Sequence, residues 1–154
     1  METIQFSILI NAGKQKVWNT MLEDKTYREW TVEFTPGSFF QGNWSKGSEM
    51  RFVAPGKDGK LNGLISMIKE NEEYRFISIE HLGLINNGIV DTTSDEVKKW
   101  APSFENYTFT EKDGQTELKI EMQVKPVYKA MFEEMWPRAL KTLKSLCERQ
   151  TVLR

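Results

Sequence analysis

The sequence predicts an α+β fold: a curved antiparallel sheet of about six to seven strands wrapped around a long C-terminal helix, with two short helices after the first strand. Three observations carry this. The chain opens on a strand whose residues alternate strictly. Its middle is a run of strand-like segments joined by tight-turn signals, and such short connections force antiparallel pairing because parallel pairs need long crossovers. From Pro126 an apolar stripe recurs at helical spacing almost to the C-terminus.

In the first strand, Ile4, Phe6, Ile8 and Ile10 share one face while Gln5 and Ser7 take the other. Lys14–Leu22 then sets Val17, Trp18, Met21 and Leu22 at helical spacing, and a second short helical turn covers Lys25–Trp30. Strand patterning returns from Phe34. Glu49–Val53 puts Met50 and Phe52 on one face, Asp58-Gly59 signals a turn, and Leu61–Lys69 follows. Asn71–Glu73 reads as the next turn, before Tyr74–Leu82. The strongest hairpin signal joins Phe104–Glu111 to Gln115–Val124 across Asp113-Gly114, with Leu118, Ile120, Met122 and Val124 facing one way.

One connection is longer. Between Ile85 and Ser103 lie the turn signal Asn86-Asn87-Gly88 and then Thr93, whose spacing to Glu96 fits a capping box for a short helix that Pro102 stops. It is either a lid carrying Trp100 or a surface helix pinned by that tryptophan. In the final helix Pro126 suits the first turn, where its missing N–H is not needed. Tyr128, Met131, Phe132, Met135, Trp136, Ala139, Leu140, Leu143 and Leu146 form the stripe. Pro137 costs the Glu133 carbonyl its partner but lies opposite the stripe, so any bend is convex toward solvent and one kinked helix is expected.

Composition narrows the function. The 154 residues suit one domain, 1–154. With 21 basic against 22 acidic residues there is no basic footprint for nucleic acid. Cys147 is the only cysteine, so no internal disulfide can form, which fits a reducing compartment. The apolar run Phe6–Ile10 is far short of the ~20 residues of a membrane span. The expectation is a cytoplasmic protein without membrane insertion, either monomer or homodimer. His81 is the single histidine, so no His-based metal cluster is expected, and no phosphate-cradling or nucleophile-elbow motif points to a cofactor or an enzyme.

A sheet curved strongly around one helix leaves space at its mouth, a common ligand site. The first half of the last helix is soft and aromatic, the second half Leu and Ala. Met adapts to irregular surroundings, so the candidate lining takes Tyr128, Met131, Phe132 and Met135 from the helix. From the sheet it takes Met50, Phe52, Ile65, Met67, His81, Tyr107 and Phe109, with Trp30 and Trp100 from the connections. Both faces of Leu61–Lys69 and Tyr74–Leu82 carry apolar residues, and a one-residue slip exchanges one inward set for the other. His81 is the polar group suited to orienting a ligand in such a pocket. Glu105 is the acid that stands out, although its position near a strand end reads more simply as facing water.

Particular residues carry a resemblance: Val17-Trp18, Trp30, Gly42-Asn43-Trp44 with Gly47, His81-Leu82-Gly83, Glu105-Asn106-Tyr107-Thr108-Phe109 and Trp136-Pro137-Arg138-Ala139-Leu140. With the order of elements, they make the chain resemble the helix-grip superfamily, also called START-like, Bet v 1-like or SRPBCC. Within it the chain is similar to single-domain bacterial proteins related to the activator of the 90-kDa heat-shock chaperone's ATPase. The resemblance spans the whole chain. It implies the fold, and a function drawn from lipid carriers, polyketide cyclases and co-chaperones. The leading expectation is a module binding a small apolar or amphipathic molecule. The alternatives are a chaperone-associated protein and a cyclase- or hydrolase-like enzyme using His81 and Glu105.

Overall fold

The structure, a computed structural model, describes residues 1–149. Residues 150–154, included in the expected domain, lie outside the described residues. The elements run β1 (Glu2–Ile10), α1 (Lys14–Leu22), α2 (Asp24–Thr31), β2 (Phe39–Gly42), β3 (Glu49–Pro55), β4 (Leu61–Glu72), β5 (Phe76–Asn86), β6 (Ile89–Asp91), α3 (Asp95–Lys98), β7 (Ser103–Lys112), β8 (Gln115–Val124) and α4 (Pro126–Glu148). This is the expected α+β architecture, with eight strands instead of six to seven. All pairs are antiparallel, in the order β1-β8-β7-β5-β4-β3-β2, and β6 pairs with β5.

The additional strand β6 comes from the turn signal at Asn87-Gly88. Both residues have positive φ, 52° and 80°, as do Asp113 and Gly114 at 56° and 79°. Two successive left-handed residues give the hairpin turn whose twist matches its strands. The chain therefore reverses at Asn87 and adds a short strand where a plain loop was expected. The following helix is one turn long, and its cap is Ser94, not Thr93. Ser94 Oγ accepts from the Val97 N–H, and Asp91 accepts from the backbone N–H groups of Thr93 and Ser94.

α4 runs unbroken through Pro137, which lies on its exposed side. It lies along β1 and against α1 and α2. Lys129 meets Glu2 near its start, while Lys144 donates to the Leu9 carbonyl and Glu148 accepts from the Asn11 N–H near its end. The main core fills the space between sheet and helices and holds Trp18, Trp30, Phe109, Ile120, Trp136 and Leu143 among others. Two of the core indoles donate their N–H inside the protein: Trp30 to the Met21 carbonyl and Trp136 to Met122 Sδ. A smaller cluster of Val53, Ile65 and Ile85, with Phe39 and Leu61, is separate from this core.

Candidate functional site

Residues directly opposed in an antiparallel ladder share a face, so the register orders the inner surface of the sheet into rows. One row toward the open end is Phe40, Phe52, Leu64, Leu84 and Asp91. Next come Gly42, Met50, Ser66, His81 and Ser103. Below them run Ile68, Ile79, Glu105, Met122 and Ile4, then Asn71, Ile77, Tyr107, Ile120 and Phe6. The first of these rows is apolar from Phe40 to Leu84, ends on Asp91 and is partly open, with Leu84 38% exposed. Polar groups sit one to two rows deeper, and below them the surface is aromatic and aliphatic.

These polar groups form one chain of hydrogen bonds. Ser66 Oγ lies 2.7 Å from His81 Nδ1, and His81 Nε2 lies 3.0 Å from Glu105 Oε1. The Tyr107 hydroxyl donates to Glu105 Oε2. With Nε2–H donating to the carboxylate, Nδ1 accepts from the Ser66 hydroxyl, which fixes both the tautomer and the ring. Ser66 is fully buried, and the His81 and Glu105 side chains are 8% and 14% exposed. Polar groups at such depth are costly unless bonded, and here each has a partner. Burial, and then the adjacent Glu105, hold the Tyr107 hydroxyl well above the usual tyrosine range. Tyr27, contributed by α2, is raised by the same two causes. Its ring packs on Trp30, Phe40 and Phe52, and Phe52 in turn sits 6.1 Å from His81.

The connectivity serine, histidine, carboxylate resembles that of an acyl-transfer relay, but Ser66 Oγ is sealed inside the sheet and no substrate carbonyl reaches it. Burial pushes the Cys147 thiol up to about 11, so it stays protonated near neutral pH. Among the described residues no three His, Cys, Asp or Glu side chains gather where a metal ion could bind. The arrangement offers a fixed imidazole and a carboxylate with spare lone pairs below an apolar, partly exposed stretch of the sheet.

The expected lining residues divide into several groups. Met50, Phe52, His81 and Tyr107 lie on the inner face around the polar chain, with Trp30 facing it from α2. Phe109 is also inward but sits against Trp18 at the other end of the sheet. Ile65 and Met67 are on the outer face, opposed to Arg51 and Gly83 in one case and to Glu49 and Glu80 in the other. A bulge explains this: Ile65 pairs with Gly83 and Ser66 with His81, leaving Leu82 unmatched. The extra residue reverses the parity of β5, so His81 points inward while Gly83 and Ile85 point outward. Trp100 is partly buried just beyond α3. Tyr128 and Met131 are exposed, and Phe132 and Met135 half-buried.

The space beneath α4 is also fuller than expected. Trp136 is surrounded by Phe6, Trp30, Phe34 and Tyr107 at ring separations of 4.9–6.2 Å. A wide cleft lies elsewhere. It is an open groove of about 710 Å³ lined by Lys14, Lys16, Asn19, Glu23, Tyr74 and Glu111. Glu105 turns inward, contrary to the reading that it faces water. Ser66 and Tyr27 went unnoticed in the sequence: the first shows only as a lone polar residue inside an apolar strand, and the second has no local signal.

No protein-family model and no curated protein sequence matches the chain. Solved structures do. A solution structure of the Aha1 dimer from Colwellia psychrerythraea superposes with a TM-score of 0.69 at 15% identity, covering 96% of this chain and 97% of that one. Protein ChR145 from Cytophaga hutchinsonii gives 0.71 at 17% identity, with coverage of 96% and 94%. MLL2253 from Mesorhizobium loti gives 0.70 at 15%, with 98% and 100%. At these identities the likeness concerns the fold: like these proteins, the chain closes a curved antiparallel sheet with one long C-terminal helix, the helix-grip fold.

Proposed function

We propose that the chain binds one small amphipathic molecule, its polar end against Glu105 and His81 and its apolar body along Phe52, Leu64 and Leu84 toward the start of α4. One observation carries this reading. A fully bonded polar chain sits on the inner face of the sheet, directly below an apolar row that reaches solvent. A core that needed only to be stable would fill those positions with apolar side chains, since buried polar networks contribute little net stability. Pockets that take small molecules combine a mostly apolar lining with a few fixed polar groups. The exposed start of α4, with Val127, Tyr128 and Met131, lies at the same end of the sheet, because Lys129 meets Glu2 and Lys125 meets Glu96 there. The filled interior means that Phe52 and Met135 must yield to admit the ligand, and Met does so at little cost.

Titration with a fluorescent apolar probe tests this. One saturable site per chain is expected, with a shift in the emission of the tryptophans lining the inner space and with displacement by dodecanol. A correctly folded protein showing no saturable site would contradict the reading. A second reading, association with a chaperone, is supported by the likeness to the Aha1 structure and by the exposed apolar start of α4. It predicts that Tyr128→Ser with Met131→Ser abolishes binding to a 90-kDa heat-shock chaperone while leaving probe binding in place.

A further inference from the structure

We propose that this site selects amphiphiles whose polar end donates hydrogen bonds and carries positive charge, aliphatic amines above alcohols, and that it turns fatty-acid anions away. The inference rests on the ligand-binding reading above and concerns the chemistry of the head group. Along the inner rows around the polar chain the charged residues are Glu105 and, at the rim, Asp91, and no Lys or Arg appears. Several basic residues of the elements facing this surface are paired with acids, and Lys25 and Lys141 are exposed. Arg28 is with Asp24 at 3.2 Å, Lys125 with Glu96 at 3.6 Å, Lys129 with Glu2 at 3.9 Å and Arg138 with Glu134 at 3.8 Å.

Among the described residues, the inner rows offer an incoming carboxylate no lysine or arginine. His81 is the one inner group able to carry positive charge, and both its ring nitrogens are committed, Nδ1 to Ser66 and Nε2 to Glu105. An incoming donor meets the opposite situation. A carboxylate offers about four lone-pair positions; Glu105 uses one for His81 and one for Tyr107, which leaves others for a further donor, and its side chain is 14% exposed. The Phe52 ring stands beside His81 and the Tyr27 ring packs on Phe52, and aromatic faces attract ammonium ions. Charge-assisted hydrogen bonds of an ammonium to a partly desolvated carboxylate are the stronger kind.

Displacement of the fluorescent probe by dodecylamine, dodecanol and dodecanoate, all below their micelle concentrations at neutral pH, tests the selection at constant chain length. The amine is expected to bind at least about tenfold more tightly than dodecanoate, with dodecanol between. Glu105→Gln should bring the three within about threefold of each other while still binding the probe. Equal displacement by all three in the native protein, or dodecanoate binding most tightly, would overturn the selection while leaving the binding site standing. Failure of every one of them to displace the probe would remove the binding reading itself. Should Glu105→Gln fail to fold, the native series alone decides, with Tyr107→Phe as the milder change beside the same carboxylate.

Discussion

The two halves of α4 repeat the same apolar spacing against different surroundings. In the second half Ala139, Leu140, Leu143 and Cys147 are buried, Leu143 and Cys147 completely. In the first half Val127, Tyr128 and Met131 are 77%, 48% and 43% exposed, and burial becomes complete only at Trp136. An amphipathic stripe therefore does not by itself mark what it covers. The second half has become core. The first half overhangs the end of the sheet where the inner surface changes from aliphatic to hydrogen-bonded polar.

The largest effect expected from this contrast is at Leu143. Replacing it by Ala should cost roughly 2–5 kcal/mol, through lost transfer energy and an unfilled void. Denaturant melts measure this directly. Met135→Ala, at a half-buried position, should cost about half as much or less and should weaken probe binding. Equal damage from the two changes, with binding untouched, would make the first half ordinary core. Met131→Ala should be smallest, within about 0.5 kcal/mol, because an exposed side chain has few partner atoms to lose.

The polar chain has its own signature at high pH. Tyr27 and Tyr107 bind their protons more tightly folded than unfolded, so their contribution to stability is complete below the ordinary tyrosine value near 10 and declines as pH rises above it. Each should erode stability by about 1.4 kcal/mol per pH unit beyond that point. Ultraviolet titration should show two of the four tyrosines ionising only as the chain unfolds. Four tyrosines titrating together in the folded protein would contradict the burial of this group.

Much of the frame is visible in the residues themselves. Asp113-Gly114 announces the last hairpin because few residue pairs tolerate two successive positive φ values, and α1 keeps the bounds its spacing predicts. Pro126 and the stripe behind it define α4. What is missing depends on register. Period-two patterning assumes an unbroken ladder, and the unmatched Leu82 breaks it. Ile65 and Met67 read as inward from their apolar character, while the structure turns Ser66 inward to meet His81. The partners of His81 are 15 and 24 residues away in the chain. No local motif records that distance, so Glu105 read as a solvated acid and Tyr27 passed unnoticed.

The most direct measurement follows the side-chain NMR signals of the folded protein during titration with dodecanol. Saturable shifts of the His81 ring and of the Trp30 and Trp136 indole N–H groups are expected, in step with those of the Met135 methyl. Shifts confined to Val127, Tyr128 and Met131 on the outside of α4, with the His81 ring unmoved at saturation, would contradict binding against the polar chain.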